Sequence, residues 1–167
     1  MNVTVDLAIE NPSWTALGDL QSLAERAAEA ALREAGFAPE RGLELSCLFG
    51  DDASIRELNA RWRGIDKPTN VLSFPATGPG SELLLGDVVL AFETVAREAS
   101  AENKPIRDHV IHLIVHGVLH LVGLDHEDDD EADAMEALEI RALHRLGLAN
   151  PYEPVAAESE RSAADRP

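Results

Sequence analysis

The sequence predicts an α+β fold, in which a small mixed β-sheet of about four strands packs with about five helices. Two observations predict this class. Segments with strand character occur singly between segments with helical character. The first of them also alternates cleanly, with Val3, Val5, Leu7 and Ile9 on one side, as expected for a strand with one buried face.

The predicted elements follow one another along the chain. Strands are expected at residues 3–9, 43–49, 71–74 and 86–92. Helices are expected at residues 14–35, 50–63, 92–100, 103–123 and 131–146. Asp51 or Asp52 would cap the second helix, and Gly123 would end the fourth. The acidic run at residues 127–133 lacks calcium-loop spacing and would instead cap the last helix and complement its dipole.

Length and composition favour one domain. Residues 1–152 are expected to form it, and residues 153–167, with few large apolar side chains, are expected to be a disordered tail. Cys47 is a lone cysteine and has no internal disulfide partner. Because it lies in a predicted strand, it is expected to be a small buried residue. A cytoplasmic location is expected because the chain shows neither a secretory signal nor an apolar run that spans a membrane.

The charge of the chain restricts its partners. A formal net charge of −17 repels polyanions at long range, so binding to RNA or DNA would need a local basic patch. Arg56, Arg61, Arg63 and Lys67 form the densest basic cluster, and arginine can bind a phosphate with two hydrogen bonds. Trp62 within the cluster could stack on an unpaired base, but a place in the core is the slightly favoured interpretation.

Three histidines in and after the fourth helix carry the strongest chemical signal. In "HGVLHLVGLDH", His116 and His120 are four residues apart, so both imidazoles project from one helix face. Gly123 can turn the chain back so that His126 completes the set. Three nitrogen ligands with a vacant fourth position are typical of catalytic zinc, and metzincin proteases use this spacing. We therefore predict a metzincin-like zinc helix with one Zn²⁺ bound by His116, His120 and His126, within a zinc-hydrolase-like domain.

One position departs from the protease pattern. Gly117 stands where a metalloprotease has its general-base glutamate, which disfavours a zinc peptidase. Asp125 is the nearest carboxylate. It could take part in proton transfer, or it could only orient His126 or cap the next segment, and both roles stay open.

The other histidines of this region are weaker candidates. His109 is expected to be a partly buried polar packing residue. For His112 the alternatives of packing and a wall of the site stay open. His144, near the end of the last helix, is expected to be solvated.

The motif resembles the signature of the YbeY family of bacterial zinc-dependent single-strand endoribonucleases. Three more blocks agree in the same order, together covering roughly residues 43–147: "LNARWRGIDKPTNVLSFP", "LGDVVLA" and "EDDDEADAMEALE". Two residues differ from the family pattern, since Leu124 and Trp62 each stand where a tyrosine is usual. The resemblance implies the same three zinc ligands, and it implies that Arg63 acts at the active site.

The resemblance also implies a function, namely cleavage of single-stranded RNA in ribosomal RNA processing, at the 16S 3′ end, and in ribosome maturation. Partners would be ribosomal RNA and the small ribosomal subunit or its assembly proteins, with no DNA and no membrane. Two alternatives stay open at this point. One is a non-catalytic ribosome-assembly factor whose zinc only stabilises the fold, and the other is the less favoured zinc peptidase.

Overall fold

A computed structural model describes residues 3–37, 42–80, 83–124 and 128–153. Its four strands are β1 (Val3–Ile9), β2 (Leu43–Gly50), β3 (Val71–Pro75) and β4 (Leu84–Ala91). Its α-helices are α1 (Leu20–Glu34), α2 (Asp52–Arg63), α3 (Phe92–Ala101), α4 (Ile106–Leu121) and α5 (Asp129–Arg145). A short 3₁₀ helix, Pro12–Leu17, precedes α1. The predicted α+β class, with a four-stranded sheet and five α-helices, is confirmed.

The sheet is mixed. Its strand order is β1-β2-β4-β3, where β1, β2 and β4 run parallel and β3 lies antiparallel against β4 at one edge. The register pairs Ser73 of β3 with Val88 of β4. The edge strand β3 thereby lies beside the helix that carries the histidine motif, as described below.

Alternate residues of β4 belong to two apolar clusters, one on each face of the sheet. Val88 and Leu90 join the main core with α1, α4 and α5. Val89 and Ala91 join a smaller cluster with Ile55 of α2. This alternation follows from the pleat of a strand that is covered on both faces. Helix α4 is therefore enclosed by sheet and helices, which fixes the positions of its side chains.

The helix predicted at residues 14–35 is wrong in its first part. Gly18 interrupts it with φ +90°, a conformation that glycine adopts without steric penalty. Asp19 then caps α1, since its carboxylate accepts from the Ser22 N–H at 3.0 Å. The spacing of Leu17 and Leu20 looks helical across this point, but the capping residue starts a new helix.

Other local predictions are confirmed with more detail. Asp51, not Asp52, caps α2 by accepting from the Ser54 N–H at 2.8 Å. Asp128 caps α5 by accepting from the Glu131 N–H at 2.8 Å. Cys47 is 1% exposed, and burial raises the pKa of its thiol to about 12, so it is inert.

The remaining expectations are mixed. Ile9 is 42% exposed, so the buried face of β1 ends before its last residue. The expected tail, residues 153–167, lies outside the described residues except for Glu153. None of the described helices has the length and apolar character needed to cross a bilayer.

Candidate metal centre

The two histidines predicted to share a helix face do so. His116 and His120 lie on α4, and their ring centroids are 4.7 Å apart. The helix ends where the sequence predicts. The Gly123 N–H donates to the His120 carbonyl at 3.0 Å and the Leu124 N–H to the Leu119 carbonyl at 3.1 Å, with Gly123 at φ +98°. His126 and Asp125, which follow this turn, lie outside the described residues.

Glu139 of α5 organises the site, and the sequence analysis did not identify it. Its carboxylate is 1% exposed and lies 2.7 Å from Nδ1 of His116 and 2.7 Å from Nε2 of His112. The Tyr152 hydroxyl donates a third, short hydrogen bond to it. Burial would raise the pKa of Glu139, but the hydrogen bonds with both histidines and Tyr152 outweigh it and lower that pKa to about 2. A charged carboxylate is therefore kept inside the core.

This arrangement fits a metal ion. A carboxylate that accepts from one ring nitrogen of a histidine fixes the tautomer and leaves the other nitrogen to coordinate, as is usual in metal sites. Here Glu139 engages Nδ1 of His116, so Nε2 is the atom that would face a metal ion. The described residues contain no group of three possible metal ligands, and the third predicted ligand, His126, lies outside them.

The neighbouring histidines have structural partners. His109 is 4% exposed and its Nε2 lies 2.8 Å from the Glu98 carboxylate, which confirms the predicted packing role. Burial lowers the pKa of His109 despite this hydrogen bond. His112 is hydrogen-bonded to the same Glu139 carboxylate as His116, and it thereby helps to hold this carboxylate in place. His144 is exposed on α5, as predicted.

Gly117 allows close packing of α4 on the sheet. A Cβ atom at this position would lie 2.9 Å from Ser73 Oγ and 3.2 Å from both methyl groups of Val88. The Ser73 hydroxyl donates to the Gly117 carbonyl at 3.1 Å. Any side chain here would crowd β3 and β4, so the glutamate of the protease pattern would fit at this position only with a shift of Ser73 and Val88.

Arg63 is the last residue of α2, and its side chain extends toward β3. Its Nη2 donates to the Ser73 carbonyl at 3.4 Å, and its side chain is exposed. Because the Ser73 hydroxyl holds the Gly117 carbonyl, one residue of β3 connects Arg63 with the residue after His116. The structure thus brings the predicted arginine to β3, the strand that packs beside α4.

A family model described as "Endoribonuclease YbeY" matches residues 8–147. The chain belongs to the YbeY endoribonuclease family. Curated relatives named "Endoribonuclease YbeY" agree over nearly the whole chain. The Methylocella silvestris protein is 49% identical over 158 residues, which are 93% of this chain and 90% of that protein. The Azorhizobium caulinodans protein is 50% identical over 151 residues, which are 89% of this chain and 95% of that protein.

A solved structure shows the same fold. A solution structure of a Thermotoga maritima protein has a TM-score of 0.52 with this chain at 22% identity. The match covers 90% of this chain and 99% of that protein. The fold seen here is therefore already observed by experiment for a distant sequence.

The two departures from the YbeY motif differ in their consequences. Leu124 is half-buried and packs against the main core, so it takes a structural place. Trp62 is 65% exposed, so the favoured interpretation of a core tryptophan is wrong. Only Ile55 and Asn59 of α2 are buried, and Trp62 lies beyond them, near the end of the helix.

A cavity of about 840 Å³ opens beside His116 in this YbeY chain. Its wall includes Asn70, Lys104, His112 and Tyr152. The volume is large enough for a nucleotide-sized group. Helix α4 therefore borders this recess, and of the two described ligand candidates only His116 contributes to its wall.

Proposed function

We propose that this chain is a zinc-dependent endoribonuclease that cleaves single-stranded RNA, with His116, His120 and His126 as the ligands of one ion. Family membership supports the reaction class, and metal dependence is general in the YbeY family. The observation that carries the choice of site is the buried Glu139 carboxylate, 2.7 Å from Nδ1 of His116 beside an open cavity. When bound, zinc would supply a Lewis acid and a water of pKa near 7.

The chain's own residues would supply positioning and charge. Glu139 would orient His116 through its Nδ1. Arg63, the proposed catalytic residue, would bind the phosphate and balance the charge that develops on it. The hydrogen bond from Arg63 to the Ser73 carbonyl supports this role, because Ser73 of β3 also contacts α4 and so places the guanidinium close to that helix. Asp125 keeps both of its possible roles.

We propose further that the biological substrate is ribosomal RNA, with cleavage at the 16S 3′ end during maturation of the small subunit in the cytoplasm. Partners would be this subunit or its assembly proteins. The net charge of −17 is compatible with a protein partner that brings the enzyme to RNA. We also propose that residues 1–152 act as one zinc-hydrolase-like domain. The peptidase and assembly-factor alternatives are not favoured, since the relatives carry an endoribonuclease name.

The test measures bound metal and cleavage of a single-stranded RNA for wild type and variants. His116→Ala should lose both zinc and cleavage. Arg63→Ala should keep zinc and lose cleavage by about a hundredfold or more. His144→Ala, a histidine exposed on α5, is the matched control and should keep both. Cleavage that persists in metal-free protein would count against the proposal, as would zinc content unchanged in His116→Ala.

A further inference from the structure

Trp62 is a large apolar side chain that lies exposed on the surface. It is 65% exposed, whereas the only other tryptophan, Trp14, is 0% exposed and donates its indole N–H to the Gly50 carbonyl at 2.8 Å. Leaving an indole in water forfeits the burial of one of the largest apolar side chains. Ile65, three residues later, is also 43% exposed. The chemistry around Trp62 indicates what would cover it.

The surroundings of Trp62 are cationic. Residues 61–67 are all exposed and include Arg61, Arg63 and Lys67. Within the described residues, none of these three forms an ion pair with a carboxylate. The acidic member of the segment, Asp66, is already paired with Nε of Arg56 at 2.8 Å. The result is a local positive surface on a chain of net charge −17.

The surface lies close to the proposed metal centre. Trp62 is adjacent in sequence to Arg63, whose guanidinium donates to the Ser73 carbonyl. The Ser73 hydroxyl in turn donates to the Gly117 carbonyl, next to His116. A chain of nucleotides that places a phosphate at Arg63 can therefore place a neighbouring base near Trp62.

We propose that Trp62 is a stacking platform for an unpaired base of single-stranded RNA, with Arg61, Arg63 and Lys67 binding the adjacent phosphates. This inference rests on the proposed function. Aromatic stacking combined with cations along the backbone is how proteins bind single strands without reading their sequence. A duplex keeps its base faces stacked inside, so it cannot use this platform. A protein partner would also cover Trp62, but the connection of Arg63 to α4 through Ser73 favours RNA, since a strand cleaved at the proposed site passes this point.

The two tryptophans make the test direct. Because Trp14 is fully buried, quenching of intrinsic fluorescence by an added oligonucleotide reports on Trp62. The probe is a 2′-O-methylated single-stranded oligonucleotide of mixed sequence, added to the full chain. We expect saturable quenching that weakens as salt concentration rises. The duplex of the same sequence should quench far less.

Variants separate stacking from general binding, which is measured by the anisotropy of the labelled oligonucleotide. Trp62→Ala should weaken binding about tenfold or more, and should raise KM for single-stranded RNA more than it lowers kcat. Trp62→Phe keeps an aromatic face and should restore most of the affinity. Phe37→Ala removes another exposed aromatic, outside residues 61–67, and should leave affinity unchanged.

Equal affinity of Trp62→Ala and wild type would overturn the inference, as would equal quenching by the duplex. Capture of a protein partner that is lost in Trp62→Ala, with RNA affinity unchanged, would also overturn it. Failure of the proposed function looks different, since wild type would then bind and quench with the single strand but would cleave no RNA when loaded with metal.

Discussion

Oε2 of Glu139 lies 2.7 Å from Nδ1 of His116, so a carboxylate of α5 fixes the ring of a proposed ligand on α4. The same carboxylate lies 2.7 Å from Nε2 of His112 through its other oxygen. Both oxygens are thus used, and the group is 1% exposed. Ionised carboxylates are rarely buried to this extent without paired donors, and here three side chains supply them.

We predict that Glu139→Gln weakens zinc binding by about ten- to a hundredfold, because the amide orients His116 less well and makes it a poorer donor. Competition with a chelator of known affinity measures this. Asp133→Asn, at an exposed position of the same helix, is the control and should leave affinity unchanged. Unaltered zinc affinity in Glu139→Gln would show that this carboxylate supports only the fold.

The proximity of His116 and His120 was predictable from sequence because its geometry is local. A spacing of four residues on one helix brings His116 and His120 together whatever the rest of the fold does. Glu139 was missed because its partnership with His116 depends on how α5 packs on α4. A signal was present, since Glu139 falls between Met135 and Ala142 on the apolar stripe of α5. A carboxylate at a core position indicates a buried partner.

The error on Trp62 also has its cause in tertiary packing. Trp62 follows Ile55 by seven residues, so helical periodicity places both on one face and predicts burial. Periodicity does not show where the opposing surface ends. Asn59 is the last buried residue of α2, and its side-chain amide donates to the Lys67 carbonyl at 2.9 Å, which closes the turn. Trp62 lies after Asn59, where the residues of α2 are no longer buried. Tertiary packing, which the sequence pattern does not encode, decided the outcome.

Gly117→Ala should destabilise the protein by about 1–2 kcal/mol, although alanine is the better helix former by about 1 kcal/mol. The reason is overpacking, since the new Cβ would lie 2.9 Å from Ser73 Oγ and 3.2 Å from the Val88 methyl groups. Chemical denaturation measures the change in the free energy of unfolding.

A double-mutant cycle tests the cause of that loss. In a Ser73→Ala background, which removes the nearest atom, Gly117→Ala should be less destabilising by about 0.5–1 kcal/mol. A stabilising effect of Gly117→Ala in the wild-type background would contradict the close packing of α4 on β3 and β4.

The ion pairs of Glu34 predict a pH-dependent link between α1 and α5. Glu34 accepts from Arg145, and from Nε of Arg141 at 2.9 Å. These hydrogen bonds, that of Arg145 first, outweigh burial and lower the pKa of Glu34 from its usual 4.5. A lowered folded-state pKa means that the stabilisation is present above about pH 4.5 and is lost as pH falls from there through the folded-state pKa.

Glu34→Gln should therefore destabilise the protein by about 0.5–1 kcal/mol at pH 7, a small value because both arginines are half-exposed to screening solvent. The difference from wild type should shrink steadily as the pH is lowered below about 4.5. Denaturant unfolding at a series of pH values measures it. Glu29→Gln, on the same helix and without a described ion pair, should show no such trend. A Glu34→Gln difference that is constant across the series would mean that the contact acts through packing, because only the charged form of Glu34 gains from the two arginines.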